Sequence, residues 1–472
     1  MEYPATRSVA QRLLGKLTPS AQKSLCLTVV CLLLAWLAAF LPAHAELAPP
    51  GVAALFILLF CAGLWVTEAM PAFAVSLLAI GLSITLIGKT ETGEEDWEKY
   101  VATWGSPLIW LFFGGFILAA AAKKTGLDLW MARHVLSRLG DRPAVVLLGL
   151  MGTTAVLSMF LSNTATATMM VAIVGPMFVS GGQTQHVKAL LLAIALAANI
   201  GGMGTLIGTP PNAIAAGTLS GVGGINFAQW MLFGVPPALL LLVVTWGYLL
   251  LAYLGKGAFL PNSNWALSSV EPRGDAPKLQ LVLVVLTFTL TILMWLTSPW
   301  HGIPTTVVSF IPICLLTATR TLDAEDLKTI SWDVLLLIAG GLTLGVAISD
   351  TGLATWIVAQ LPLQGLPPTT VALCLAYLAV VLSNLMSNTA AANVLLPIAL
   401  VLLGAEHSRL IIPIALAASA AMCLPISTPP NAIAYGTGHI KTVDLLKAGL
   451  LVGCAAPLIV TFWTQLLVAV ID

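Results

Sequence analysis

Long apolar runs, interrupted by short polar or Pro/Gly-rich breaks, recur along almost the whole chain. A helix needs about 20 apolar residues to cross the roughly 30 Å hydrocarbon core of a bilayer. The pattern therefore predicts an all-α polytopic membrane protein, with about 11 transmembrane helices and two further pairs of apolar segments. The predicted helices cover residues 25–43, 51–70, 71–88, 104–122, 123–140 (amphipathic), 143–161, 165–180, 187–219, 228–255, 279–297, 301–319, 332–349, 350–361, 369–386, 390–403, 409–436 and 444–470.

The first apolar run resembles a cleavable signal peptide, because it ends in Ala43-His44-Ala45. However, a polar leader of 24 residues precedes it, and the run from Leu25 to Leu41 is longer than the apolar part of such a peptide. We therefore expect this run to be the first transmembrane helix.

The composition argues against an enzyme. Of 472 residues, 58% are hydrophobic and only 8% are charged, and no polar segment is long enough for a separate soluble domain. The seven cysteines lie in apolar stretches without a CxxC pair, so neither a metal site nor a disulfide framework is predicted. No Ser/His/Asp or Cys/His set is visible. We expect a protein embedded in lipid that has no catalytic residues, no prosthetic group and no nucleic-acid partner.

The chain contains an internal repeat. The segments that begin at Trp104 and Trp332 share GG and TGL elements, and each is followed by Ser-Asn-Thr and then by Thr-Pro-Pro-Asn. The second motif belongs to an identical TPPNAIA sequence that begins at Thr209 and again at Thr428. Internal repeats of this kind are a feature of secondary transporters.

The basic residues predict the orientation in the membrane. We place the N-terminus in the cytoplasm and assume that each Ser-Asn-Thr hairpin enters and leaves the membrane on the same side. Only Lys89, Lys99 and Arg409 of the 20 basic residues then lie outside the cytoplasm, a strong positive-inside bias for an inner (plasma) membrane protein. The two repeats are then inverted relative to each other. Hairpins that cross the membrane completely would give the same distribution, so charge alone does not distinguish these cases.

Ser-Asn-Thr predicts a turn between two half-length helices. In a continuous helix these residues would place polar groups around most of the circumference, which lipid does not tolerate. A re-entrant hairpin buried in protein removes this conflict and leaves unpaired backbone N–H groups where its second arm begins. One such motif would more often be a packing feature. Two of them, each paired with a Thr-Pro-Pro-Asn motif, favour a shared binding site.

Thr-Pro-Pro-Asn predicts a broken helix. Thr209 and Thr428 can cap the second half-helix, because proline at the first helical position lacks only an N–H that would be unpaired anyway. The positive end of that half-helix favours an anion. An anion here must be held by hydroxyls, amides and helix ends, and a neighbouring Na⁺ by neutral oxygens. The polar segments without any Asp, Glu, Lys, Arg or His are 158–168, 199–217, 383–393 and 424–438.

Paired Ser-Asn-Thr motifs, each followed by a TPPNA-type break, resemble the divalent anion/sodium symporter family, whose members carry C4-dicarboxylates, citrate or sulfate. The resemblance covers nearly the whole chain, including TEAMP at Thr67 to Pro71. It implies a homodimer in which scaffold helices hold a transport domain that moves as an elevator. In these terms the chain divides into a cytoplasmic N-terminal segment (1–24), scaffold helices (25–103), a first repeat with an interfacial helix (104–227), further scaffold helices with a cytoplasmic loop (228–331), a second repeat (332–441) and a last transmembrane helix (442–472).

The same resemblance implies the site residues. Those that would contact substrate carboxylates are Asn163, Thr164, Thr209, Asn388, Thr389 and Thr428. One sodium ion would lie among Ser158, Ser162, Asn163 and Gly208, and a second among Ser383, Ser387, Asn388 and Ser427.

We therefore expect a secondary active transporter that carries a small divalent anion together with Na⁺. The expected substrate is a C4-dicarboxylate such as succinate, malate or fumarate. Sulfate or citrate as the substrate, sodium-independent anion exchange and an anion channel are the alternatives, because the sequence defines the chemistry of the site but not its dimensions.

Overall fold

The computed structural model of the protein describes residues 18–40, 46–89, 95–140, 142–175, 184–254, 277–360 and 365–471. Over these ranges the chain is helical, and its one isolated antiparallel bridge joins Lys89 to Glu95. Several predictions extend outside the described residues, namely those for residues 1–17, 41–43, 176–180, 255–276, 361 and 472.

The helices are numbered in chain order. They are α1 (Pro19–Ala39), α2 (Pro49–Thr67), α3 (Ala72–Ile87), α4 (Pro107–Thr125), α5 (Leu127–Leu136), α6 (Pro143–Ser158), α7 (Asn163–Val174), α8 (Thr184–Gly202), α9 (Pro210–Leu219), α10 (Phe227–Leu249), α11 (Lys278–Leu296), α12 (Phe310–Ala318), α13 (Trp332–Asp350), α14 (Leu353–Gln360), α15 (Pro368–Leu385), α16 (Asn388–Leu403), α17 (Ile412–Ser419), α18 (Pro429–Gly436) and α19 (Thr442–Ile471). Short helical turns cover Glu98–Ala102, Thr103–Gly105, Ser220–Val222, Leu250–Leu254, Ser298–His301, Thr305–Val308, Ala324–Lys328 and Ala405–Ile411.

Length and hydropathy identify the membrane-spanning elements. Among the described residues, nine helices are long and apolar enough to cross a bilayer. The shorter apolar helices include α6, α7 and α16, which belong to the predicted hairpins. These features confirm an all-helical polytopic membrane protein.

Each Ser-Asn-Thr motif forms the turn between two helices. Ser162 lies between α6 and α7, and its side chain accepts a hydrogen bond from the N–H of Ala165 (3.2 Å). Ser387 lies between α15 and α16 and accepts from the N–H of Ala390 (3.1 Å). Both serines are therefore N-caps.

The arms of the two hairpins differ in length. Helices α6 and α7 contain 16 and 12 residues, fewer than the roughly 20 that a crossing requires. Helix α15 contains 18 residues, so the prediction of half-length arms is wrong for this arm. This helix continues without a break from Pro368 to Leu385, and the backbone becomes extended at Met386.

Both TPPN motifs break a helix as predicted. Helix α8 ends at Gly202 and α9 begins at Pro210, while α17 ends at Ser419 and α18 begins at Pro429. The half-helix that follows each break packs against the other repeat: α9 lies on α16 and α17, and α18 lies on α7 and α8. Because each half-helix packs on the opposite repeat, the N-termini of α9 and α18 lie beside the two hairpins.

The remaining helices pack around these two repeats. A separate apolar cluster joins α1, α2 and α3 to α13, α14 and residues Met386, Ala390 and Ala391 of the second hairpin. Helix α13 approaches α3 so closely that a Cβ on Gly340 would lie 2.3 Å from Ser76 Cβ. Helix α10 lies, except for its first residue, in the segment 228–331, which the sequence predicts to belong to the scaffold. It packs along α8 and α19.

Candidate functional site

A cavity of about 960 Å³ lies where the hairpin turns and the helix breaks meet. Both repeats contribute to its wall, since it is lined by residues of both Ser-Asn-Thr turns and of both TPPN breaks. All the residues predicted to contact substrate line it, namely Asn163, Thr164, Thr209, Asn388, Thr389 and Thr428. The structure thus brings together side chains that are distant in sequence.

The hairpin turns present helix N-termini to the cavity. Asn163 and Thr164 occupy the first turn of α7, and Asn388 and Thr389 occupy the first turn of α16. The first N–H groups of a helix have no partner within the helix and carry its partial positive charge. A carboxylate in the cavity would therefore meet neutral side-chain donors and two positive helix ends.

The threonines at the helix breaks are not equivalent. Both have the extended backbone expected of an N-cap residue, with φ −155° at Thr209 and φ −144° at Thr428. The Thr428 side chain accepts a hydrogen bond from the N–H of Asn431 (3.4 Å), which confirms the predicted cap. The Thr209 side chain makes no capping hydrogen bond, so the prediction of a side-chain cap is wrong there.

The asparagines of the TPPN motifs hold the broken backbone together. Asn212 Nδ2 donates to the carbonyl oxygens of Gly202 (2.9 Å) and Thr205 (2.7 Å). Asn431 Nδ2 donates to those of Met422 (2.9 Å) and Leu424 (3.0 Å). These carbonyls lie at or beyond the end of the first half-helix, so the amides supply donors that the break removes. No role for these asparagines was predicted from the sequence, although their identical repetition was a usable signal.

In the first predicted sodium set, the side-chain oxygens of Ser158 and Asn163 are already paired with each other. Ser158 Oγ lies 2.6 Å from Asn163 Oδ1 and 2.7 Å from the carbonyl oxygen of Ala198, two acceptors for its single proton. Ser162 Oγ caps α7, and Gly208 lines the cavity. A Cβ at Gly208 would lie 2.3 Å from the carbonyl oxygen of Gly202, which explains why glycine occupies this position.

In the second predicted sodium set, two oxygens are unpaired. Ser383 Oγ and Asn388 Oδ1 are buried and have no hydrogen-bond partner within the described part of the chain. Ser387 Oγ caps α16. Ser427 Oγ lies 3.0 Å from Asn384 Oδ1 and accepts from the N–H of Leu424 (3.1 Å). Asn384, which was not among the predicted site residues, also accepts from the N–H of Cys423 (2.8 Å).

Charged side chains also line the cavity, beyond the neutral polar segments. They are Lys123 at the end of α4, Asp128 in the first turn of α5 and Asp333 in the first turn of α13. Burial raises the pKa of the Asp128 carboxyl, and hydrogen bonds from backbone N–H groups partly offset this. These residues were not predicted as part of the site, because they belong to separate helices that only the fold brings to one cavity.

A family model described as a citrate transporter matches residues 62–408. The sodium-dependent dicarboxylate transporter SdcS of Staphylococcus saprophyticus is 34% identical over 461 residues, which cover 90% of this chain and 85% of that protein. The chain belongs to the divalent anion/sodium symporter family. SdcS of Staphylococcus aureus is also 34% identical, over 89% of this chain and 84% of that protein.

One solved structure supports the fold assignment. The YdaH transporter of Alcanivorax borkumensis superimposes with a TM-score of 0.52, at 13% sequence identity, over 85% of this chain and 98% of that one. At this identity the similarity concerns the fold alone. The shared fold agrees with the polytopic, all-helical architecture described above.

Proposed function

We propose that the protein is a secondary active transporter that carries a C4-dicarboxylate together with Na⁺ across the plasma membrane. The observation that carries this proposal is the single cavity formed by both hairpin turns and both helix breaks. The positive helix ends at the hairpin turns and helix breaks, together with neutral amide and hydroxyl donors, suit the two carboxylates of a short dianion. The relatives named sodium-dependent dicarboxylate transporter support the same assignment.

Co-transport of Na⁺ follows from the chemistry of the neighbouring oxygens. Ser383 Oγ and Asn388 Oδ1 are buried without a partner in the described chain, which is costly unless a donor or a cation meets them. Serine hydroxyls, an asparagine amide and the carbonyls of an unwound helix are suitable ligands for Na⁺. Because Na⁺ beside the dianion offsets its charge, each ion favours the binding of the other.

The mechanism that fits this arrangement is a movement of the hairpins and broken helices as one body. These elements pack on each other across the two repeats. We propose that they form the transport domain, that α1–α3 and α13 belong to the scaffold, and that two copies associate through their scaffolds. The N-terminus lies in the cytoplasm in this proposal.

The decisive test is uptake of labelled succinate into proteoliposomes that contain the purified protein. An inward Na⁺ gradient should drive saturable accumulation above the external concentration, and replacing Na⁺ by choline should abolish it. Uptake that needs internal dicarboxylate but not Na⁺ would identify an exchanger instead. Non-saturable equilibration would identify a channel, and stronger competition by citrate or sulfate than by succinate would reassign the substrate.

A further inference from the structure

Thr428 and Thr209 occupy the same position in the two repeats, but their hydroxyls have different surroundings. Thr428 Oγ1 lies 3.0 Å from Asn199 Nδ2, an amide on α8 of the first repeat. Asn199 is buried, lines the cavity and lies ten residues before Thr209. The matching ALAA runs at 195–198 and 415–418 align Asn199 with Ser419, whose hydroxyl instead donates to the carbonyl oxygen of Ala415 (3.3 Å). The repeat symmetry is therefore broken at this hydrogen bond.

The backbone determines which end of each amide is the donor. Asn431 Nδ2 lies within 3.0 Å of the carbonyl oxygens of Met422 and Leu424. Carbonyl oxygens only accept hydrogen bonds, so the amide nitrogen of Asn431 must face them and its Oδ1 must face away. Asn431 Oδ1 lies 3.3 Å from Asn199 Nδ2. Asn199 therefore presents its NH₂ group, with one N–H for Asn431 and the other for Thr428.

This network leaves the Thr428 hydroxyl only one role. Its oxygen accepts from Asn199 Nδ2 and from the backbone N–H of Asn431 (3.4 Å). A hydroxyl has two lone pairs and one proton, so both acceptor positions are used and only the proton is available. Thr428 lines the cavity, where this proton can meet an anion. The Thr209 side chain makes no capping bond, so its lone pairs are not used in this way.

We propose that Asn199 is a positioning residue, which holds the Thr428 hydroxyl as a hydrogen-bond donor to a substrate carboxylate. This inference rests on the proposed function. It gives the two helix breaks different roles in binding. The break at Thr428 offers a donor only and suits an ionised carboxylate, whereas Thr209 is able to donate to an anion or to offer its oxygen to a cation.

The test compares Asn199→Ala, Thr428→Val and the double variant in the succinate uptake assay. Each single variant should raise the KM for succinate about tenfold, because one hydrogen bond to a charged group is lost. The double variant should match the single ones, because Asn199 acts through Thr428. The maximum rate should not change, and neither should the Na⁺ concentration for half-maximal uptake when it is measured at saturating succinate. Thr428→Ser keeps the hydroxyl. Adding Asn199→Ala to this variant should therefore raise the KM for succinate, as it does in the wild-type protein.

A matched control is Thr218→Val, which removes a hydroxyl from α9 that bonds the carbonyl of Ile214 (2.8 Å) and does not line the cavity. It should leave the KM unchanged. If Asn199→Ala folds poorly, Asn199→Asp keeps the shape but replaces the NH₂ donor by an acceptor, and it should raise the KM at least as far as Thr428→Val does.

The outcomes separate this inference from the proposed function. Additive KM effects, or a lower maximum rate with an unchanged KM, would show that Asn199 has a merely structural role. An unaltered KM in Asn199→Asp would also overturn the inference while leaving the transporter assignment intact. If the wild-type protein does not accumulate succinate, the proposed function fails and this inference fails with it.

Discussion

The hydroxyl oxygen of Ser158 lies 2.6 Å from the amide oxygen of Asn163, so these two predicted sodium ligands are hydrogen-bonded to each other. Their equivalents in the second repeat, Ser383 and Asn388, have buried oxygens without a hydrogen-bond partner in the described chain. A cation that enters the first set must replace a hydrogen bond worth about 1 kcal/mol, which the second set does not require. The two predicted sodium sites are therefore expected to differ in affinity.

Ser383→Ala should raise the Na⁺ concentration for half-maximal succinate uptake more than Ser158→Ala does. Ser383→Ala only removes a ligand, whereas Ser158→Ala removes both a ligand and the hydrogen bond that competes with Na⁺. Initial uptake rates over a range of Na⁺ concentrations measure the difference, with ionic strength held constant by choline. Equal shifts, or a larger shift for Ser158→Ala, would argue against this asymmetry.

Asn163→Ala and Asn388→Ala should each reduce succinate uptake at low substrate concentration by about 10- to 100-fold. Each change removes an amide from the first turn of a helix that faces the cavity. Folding should be preserved, because neither amide closes a helix break. The measurements are uptake by equal amounts of reconstituted protein and elution as a single species in size-exclusion chromatography. Thr85→Ala, an exposed change on α3, is the control. Wild-type rates in both asparagine variants would contradict the site.

The sequence predicted the breaks and turns well because their causes are local. A capping threonine before two prolines favours a helix start, and three consecutive polar residues favour a turn shielded from lipid, so both interruptions are favoured by local sequence. The hydrogen bond from Asn199 to Thr428 connects residues 229 positions apart and could not be predicted in this way. The same limit applies to Asp128 and Asp333. Polar residues near helix starts look alike in sequence, and only the fold shows that these two line the cavity.

Gly208→Ala should abolish uptake, whereas Gly81→Ala should be tolerated. A Cβ at Gly208 would lie 2.3 Å from the carbonyl oxygen of Gly202, a backbone atom of the same break, so the loop beside Thr209 would have to move. A Cβ at Gly81 in α3 meets no atom within 4 Å, and alanine there favours the helix by about 1 kcal/mol. Succinate uptake and expression level are the measurements. Normal transport by Gly208→Ala would show that the loop can be displaced without affecting the site.

Asn212→Ala should destabilise the protein more than Asn163→Ala, although both remove one asparagine near the cavity. The Asn212 amide supplies the hydrogen bonds to the carbonyls of Gly202 and Thr205, and buried carbonyls without donors are costly. We expect a loss of about 2–4 kcal/mol in the free energy of unfolding. Asn212→Asp should be at least as harmful, because carboxylate oxygens would face both carbonyl oxygens. Thermal unfolding in detergent, followed by tryptophan fluorescence, measures the effect. Equal midpoints for Asn212→Ala and Asn163→Ala would show that the break does not depend on this amide.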